Sequence, residues 1–252
     1  MTWRVRGCLA ALAAVLVFPA AAAEVRILTS GAYKPVVEEA VPLFEKATGH
    51  TVRVSNDTAG GVLRRVEGGE STDLVVLTPT GLDGLAKKGR VVSETAAELA
   101  KVGIGVAVKE GAPKPDIATS DALKNALLEA RSVAMIDPAA GGSSGIYLSK
   151  LFERWGIADQ VKAKAVLMSG GYVASKLVTG EADLALHQVS EILAVKGVTL
   201  VGTLPADVQN FTVYAGAVAS GAGDAEAARA FLRFLAGPEV ARVLATKGMM
   251  TP

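Results

Sequence analysis

Apolar residues along this chain fall into two alternating patterns, short β-type runs and longer helical ones. Residues 25–28 form a short apolar run. Over 33–48, Val36, Val37, Ala40, Leu43, Phe44 and Ala47 recur at helical spacing, and Gly49 ends the pattern. Residues 51–54 alternate and are mostly β-branched, which predicts a second strand. A helix is predicted over 60–67, closed by Gly68-Gly69. A buried strand follows at 73–77, and Pro79 opens a helix that ends near Gly89. This β-α-β-α-β-α order predicts a parallel sheet covered on both faces.

A second set of elements follows. The pattern predicts a strand over 104–109, a turn-rich break at 111–115, and a helix from a cap at Asp121 to Leu128. Strands at 132–136, 165–167, 183–187 and 198–203 alternate with helices at 143–155 and 172–178. A long apolar strand over 211–219 leads to a helix over 225–235 capped by Asp224. Gly237-Pro238 then starts a last helix that runs to about Lys247. Neither repeats nor low-complexity linkers interrupt the chain. Its length and this order predict two α/β lobes, residues 24–103 with 212–252 and residues 104–211. The chain would cross between them near 103–109 and 209–214. A cleft is then expected between the lobes, at the carboxyl ends of the strands.

The first 23 residues change the picture of where the protein works. Arg4 and Arg6 form a positive start, residues 8–18 an apolar run, and Pro19 to Ala23 a small-residue segment with an Ala21-x-Ala23 cleavage pattern. This is the form of a secretory signal peptide, and it predicts export to the periplasm. The apolar run is too short for a membrane anchor. Cys8 directly follows Arg6 and Gly7, at the start of the apolar run and not after it, which argues against lipidation there. Removing 23 of 252 residues leaves 229, enough for one large or two small cores. The mature chain would contain no cysteine, hence no disulfide and no thiolate metal site. Without Arg4 and Arg6 it would hold 24 basic and 25 acidic residues. That balance argues against a nucleic-acid partner.

The candidate chemistry sits where strands end. Thr29-Ser30-Gly31, Thr58-Ala59-Gly60-Gly61 and Gly141-Gly142-Ser143-Ser144-Gly145 each follow a strand and precede a helix. Free N–H groups at a helix start, with small hydroxyl residues around them, make an anion site without charged side chains. Gly170-Gly171-Tyr172 offers a further helix start, and His187, at a strand end, one imidazole donor. Each also has a plain reading: Ser30, Asp57 or Thr58 as helix caps, Arg64 as a solvated helix charge, His187 as a structural histidine. Gly141-x-Ser143-x-Gly145 also fits the nucleophile-elbow pattern of a secreted serine hydrolase. However, five residues separate Asp137 from Ser143, and only His50 and His187 are available as partners. No carboxylate pair, metal cluster, P-loop or dinucleotide fingerprint is apparent, so no cofactor, metal or catalytic residue is expected.

Several segments, in order, resemble the molybdate-binding component of bacterial ABC importers, a family of periplasmic solute-binding proteins with the type II fold. They are Leu28-Thr29-Ser30; Val62 to Gly69 followed by Thr72 to Val76; Asp137-Pro138 followed by Ser144-Gly145-Ile146-Tyr147; Glu181 to Leu186; and Leu235-Ala236-Gly237-Pro238-Glu239. The resemblance spans nearly the whole mature chain. It implies a two-lobed α/β fold, each lobe a mostly parallel sheet flanked by helices. It also implies a non-enzymatic role, delivery of a small oxyanion such as molybdate or tungstate to a membrane permease, and a monomer. Carried across, the family's site falls on Ser30, Thr58, Ala59, Ser144 and Gly171, with Ser143 and Tyr172 beside it. Ala59 stands where the family has a serine and His187 where it has a tyrosine. Those two changes suit an alternative ligand, a small organic di- or tricarboxylate, with a cationic His187 and Arg64 meeting its extra oxygens. An anion-sensing adaptor would have the same sequence signature.

Overall fold

The computed structural model describes residues 22–252. All but the last two residues of the signal-peptide reading lie outside them. The element order is β1 (Glu24–Ser30), α1 (Lys34–Thr48), β2 (Thr51–Asp57), α2 (Ala59–Glu67), β3 (Leu74–Leu77), α3 (Pro79–Lys87), β4 (Ala97–Lys109), α4 (Ser120–Glu129), β5 (Val133–Ile136), α5 (Ser143–Arg154), α6 (Ala158–Lys162), β6 (Ala165–Met168), α7 (Ser175–Val178), β7 (Leu184–Gln188), α8 (Val189–Leu193), β8 (Val198–Thr203), β9 (Phe211–Val218), α9 (Ala225–Leu235) and α10 (Pro238–Thr246). The helix ends have local causes. Gly49 takes the left-handed conformation (φ +76°) that closes α1, and Asp224 accepts the Ala227 amide to start α9.

The strands run in the order β2-β1-β3-β9-β4-β7-β5-β6, with β8 on the other side of β4. β4 joins two sheets. Its residues 97–103 pair with β9, and residues 104–109 pair with β7 and β8. At the changeover, Gln209 imitates a strand residue: its amide accepts from the Ile104 N–H and donates to the Ile104 carbonyl, both at 2.9 Å. The β1–β2, β1–β3, β5–β6 and β5–β7 pairs are parallel. Every pair made by β4 or β9 is antiparallel, so the sheet is mixed. The reason is connectivity: β9 returns from the middle of the chain and enters the first sheet from the opposite end.

Apolar clusters cover each sheet on both faces. Val36, Val37, Phe44 and Phe231 pack on one side of the first sheet, and Val62, Leu82 and Leu85 on the other. Leu123, Leu148 and Phe152 cover one face of the second sheet, and Val173, Leu177 and Ile192 the other. An ion pair between a half-exposed Arg26 and the buried Asp73 carboxylate ties the first half together. Asp73 accepts from the Arg26 amide (2.8 Å), its guanidinium (2.9 and 3.0 Å) and the Gly223 amide (2.8 Å).

Several bounds differ from the sequence reading. Thr119, not Asp121, caps α4, because its hydroxyl reaches the Ala122 amide at 3.1 Å. The helix expected over 172–178 shrinks to α7. β4 begins seven residues before the predicted strand, at positions where Glu98 and Lys101 mask its β pattern. α6 and α8 are too short to show a period.

Candidate functional site

The ends of β1, β2, β5 and β7 converge on one cavity at the junction of the two sheets. Ser30 closes β1, and its hydroxyl donates to the Val76 carbonyl at 3.2 Å. Thr58 caps α2. It accepts from the Gly61 amide at 3.0 Å and donates to the Ala140 carbonyl at 2.6 Å. The Gly60 amide donates to the Gly141 carbonyl at 2.9 Å. A Cβ on either glycine would lie 2.8 Å from the other's Cα, so only paired glycines allow this approach. These contacts hold residues 58–60 against 140–141 beside the cavity, whose volume is about 30 Å³. That is room for two or three water molecules.

The donors come from helix starts. In α5 the first intrahelical bond is made by the Ile146 amide, to Gly142, so the amides of Ser143, Ser144 and Gly145 have no intrahelical partner. Gly145 has no side chain to keep α5 off the end of β5: a Cβ there would be 3.0 Å from the Ile136 carbonyl carbon. The Asp57 carboxylate accepts the Thr58 amide at 2.7 Å and stands 3.8 Å from Arg65. No lysine or arginine lines the cavity among the described residues.

One wall is made by His187 and Glu191, at the end of β7 and in α8. The His187 Nε2 lies 3.1 Å from the Glu191 carboxylate oxygen Oε2, and both side chains are buried. Burial pushes His187 down to about 3 and Glu191 up to about 8. At neutral pH the pair is therefore a neutral imidazole beside a protonated carboxyl group. The His187 Nδ1 has no hydrogen-bond partner. The Glu191 carboxyl group rests against Gly31, where a Cβ would fall 2.7 Å from its Oε1. Ser190 fastens α8 to the N-terminal half by donating to the Ala32 carbonyl at 2.7 Å. Tyr214 completes the wall beside Ser143.

A model of the bacterial extracellular solute-binding proteins matches residues 25–250. The chain belongs to that family. This solute-binding protein is 36% identical over 229 residues to an aconitate isomerase of a Pseudomonas species, covering 88% of this chain and 86% of the relative. It is 26% identical over 229 residues to the molybdate-binding protein ModA of Escherichia coli (strain K12), covering 89% and 88%. Among solved structures, the periplasmic molybdate-binding protein of Azotobacter vinelandii superposes with a TM-score of 0.76. That match has 18% identity and covers 90% of this chain and 99% of the other. The two-lobed periplasmic-binding-protein fold is the one this likeness gives.

Of the residues singled out in the sequence, the cavity of the binding protein brings together Ser30, Thr58, Ala59, Ser143, Ser144, Gly171 and His187. Tyr172 is not in its wall; its ring lies under the Lys34 ammonium, 5.5 Å from the centroid. Arg64 stays at the rim, where its guanidinium reaches the Ala140 carbonyl at 3.5 Å. Burial overturns the expectation of a cationic His187. The serine-hydrolase arrangement is not assembled: the His187 Nε2 faces Glu191, and its Nδ1 has no partner. Sequence reading missed Asn56, Gln188, Glu191 and Tyr214. A glutamate four residues after a histidine, the spacing of one helical turn, was the available signal for Glu191.

Proposed function

We propose that this exported binding protein closes around a small unsaturated polycarboxylate of the aconitate class and interconverts its isomers. The observation that carries the reading is the Glu191–His187 pair in the wall of the cavity. A site built only to hold a fixed dianion needs donors, and the Ser143 and Ser144 amides at the start of α5 supply them. A buried carboxyl group lends that grip a single O–H donor when neutral and opposes it when ionised, a liability that an amide or alcohol in its place would avoid. It suits a ligand on which protons move. The full-length likeness to an aconitate isomerase supports the same reading. Uptake of a molecule larger than this cavity requires the lobes, 24–103 with 212–252 and 104–211, to part at Gly103–Ile104 and Gln209–Asn210.

A second reading has its own support. A cavity of about 30 Å³ suits a compact tetrahedral oxyanion, and the 26% relative is a molybdate-binding protein. In that reading the protein is a periplasmic carrier that delivers molybdate or tungstate to an ABC-importer permease.

Thermal melting against cis-aconitate, trans-aconitate, molybdate, tungstate and sulfate separates the two. A ligand at a hundred times its Kd stabilises by about 2.7 kcal/mol. Stabilisation by the aconitates, with conversion of one isomer to the other, is the expected result. Stabilisation by molybdate or tungstate alone would replace the first reading with the second.

A further inference from the structure

Nothing in the packing requires Glu191 to be an acid. It is buried on the first turn of α8, against Gly31 and His187. A glutamine would fill the same space and offer a permanent donor to an anion, without a titratable group in the interior. The surroundings nevertheless make room for a carboxyl group. Gly31 leaves the volume that its Oε1 approaches, Ser190 pins the helix that carries it, and the His187 Nε2 holds its second oxygen.

Resting on the reading above, we propose that Glu191 is the catalytic residue that carries a proton between the two ends of the bound ligand's allylic system, with His187 as its positioning residue. Aconitate contains the unit CH2–C=CH, flanked by carboxylates. The ionised form of Glu191, a minority at neutral pH that grows as pH approaches 8, takes a proton from the CH2 carbon. That C–H bond breaks, and its electron pair spreads over the three carbons and the terminal carboxylate. The Ser143 and Ser144 amides at the start of α5 lie on the cavity where this charge develops. Glu191 then delivers a proton, the one it took or one exchanged with water, to the other end carbon, forming a new C–H bond, and the double bond moves one position along. The skeleton reads the same from either end, so the product is again aconitate. The new double bond closes in either geometry. Atoms and electrons balance within the ligand, and Glu191 returns to its starting form.

Burial suits the group to this task, since a carboxylate titrating at about 8 is a stronger base than an exposed one and lies near the working pH. The titratable groups facing it are His187 from β7 and the Tyr214 and Tyr172 phenols. Burial pushes both phenols up, Tyr172 to about 12, so they stay neutral.

The test follows trans-aconitate and the full mature protein in D2O by proton NMR, with melting stabilisation as a separate measure of binding. Wild type is expected to interconvert the isomers and to place deuterium at the two end carbons. Glu191→Gln, which copies the protonated form, is expected to keep ligand stabilisation and to lose about 10²–10⁴-fold in turnover. Glu191→Asp should recover part of it. His187→Gln should lower kcat with little change in KM, which a loss of fold would not produce. Glu191→Gln turning over within tenfold of wild type would overturn the assignment while leaving the isomerase reading intact. Binding by wild type without interconversion or exchange would overturn the catalysis itself. No binding of either aconitate would remove the reading on which both rest.

Discussion

Replacing Gly145 by alanine separates two opposing effects. Gly145 is the third residue of α5, and on propensity alone alanine there would add up to about 1 kcal/mol. The structure reverses that sign. The new Cβ would sit 3.0 Å from the Ile136 carbonyl carbon and closer still to its oxygen. Both are backbone atoms at the end of β5, so no side-chain rotation relieves the overlap. The start of α5 must move outward, by something approaching 1 Å. Overpacking of this kind costs about 1–3 kcal/mol, which outweighs the helix gain. For a domain of this size a net loss of 1–2 kcal/mol lowers Tm by about 2–8 °C. The same displacement carries the Ser143 and Ser144 amides away from the cavity. Calorimetric melting with and without ligand reads both effects. The expected result is a lower Tm together with a smaller ligand-induced shift. A Gly145→Ala protein as stable as wild type, with an unchanged shift, would refute the claim that contact with β5 seats these donors.

Three further outcomes follow from the geometry. Thr58→Val removes the α2 cap and leaves the Ala140 carbonyl without its donor; denaturant melts should show a loss of about 1–2 kcal/mol. Asp73→Asn should cost about 2 kcal/mol at neutral pH. Burial pushes the Asp73 carboxyl group up, but hydrogen bonds from Arg26 and Gly223 outweigh it and hold the group below its ordinary 3.8. Its stabilisation is present above that value and is lost as pH falls through the lower folded one, so the variant should be less sensitive to acid there. The Glu191–His187 pair should give the protein a stability plateau. Glu191, raised from 4.5 to about 8, stabilises below 4.5 and loses this as pH climbs to 8. His187, lowered from 6.5 to about 3, loses stability as pH falls from 6.5. The two slopes cancel between about 4.5 and 6.5. Above 6.5 only Glu191 acts, and stability falls as pH climbs toward 8. Glu191→Gln should abolish that alkaline fall, and a Tm-against-pH series that keeps it in the variant would contradict the assignment.

Much of this fold is written locally. Strand and helix periods placed nearly every element, because each carries its apolar face and its cap in a continuous stretch, as α1 does between Pro35 and Gly49. The Gly and hydroxyl clusters after β1, β2 and β5 also marked one side of the site, since a helix start exposes its amides whatever surrounds it. The mixed sheet and the second half of the site were not legible. The antiparallel pairing of β9 depends on where the chain returns, and that is fixed by contacts over a hundred residues apart. α8 is a single short turn with no period of its own. His187 and Glu191 became a neutral, buried pair only because Gly31, Ser190 and Ala32 bring the two halves together over them. Sequence names the ionisable groups, but the water removed around them decides which are charged, and that depends on packing among distant residues.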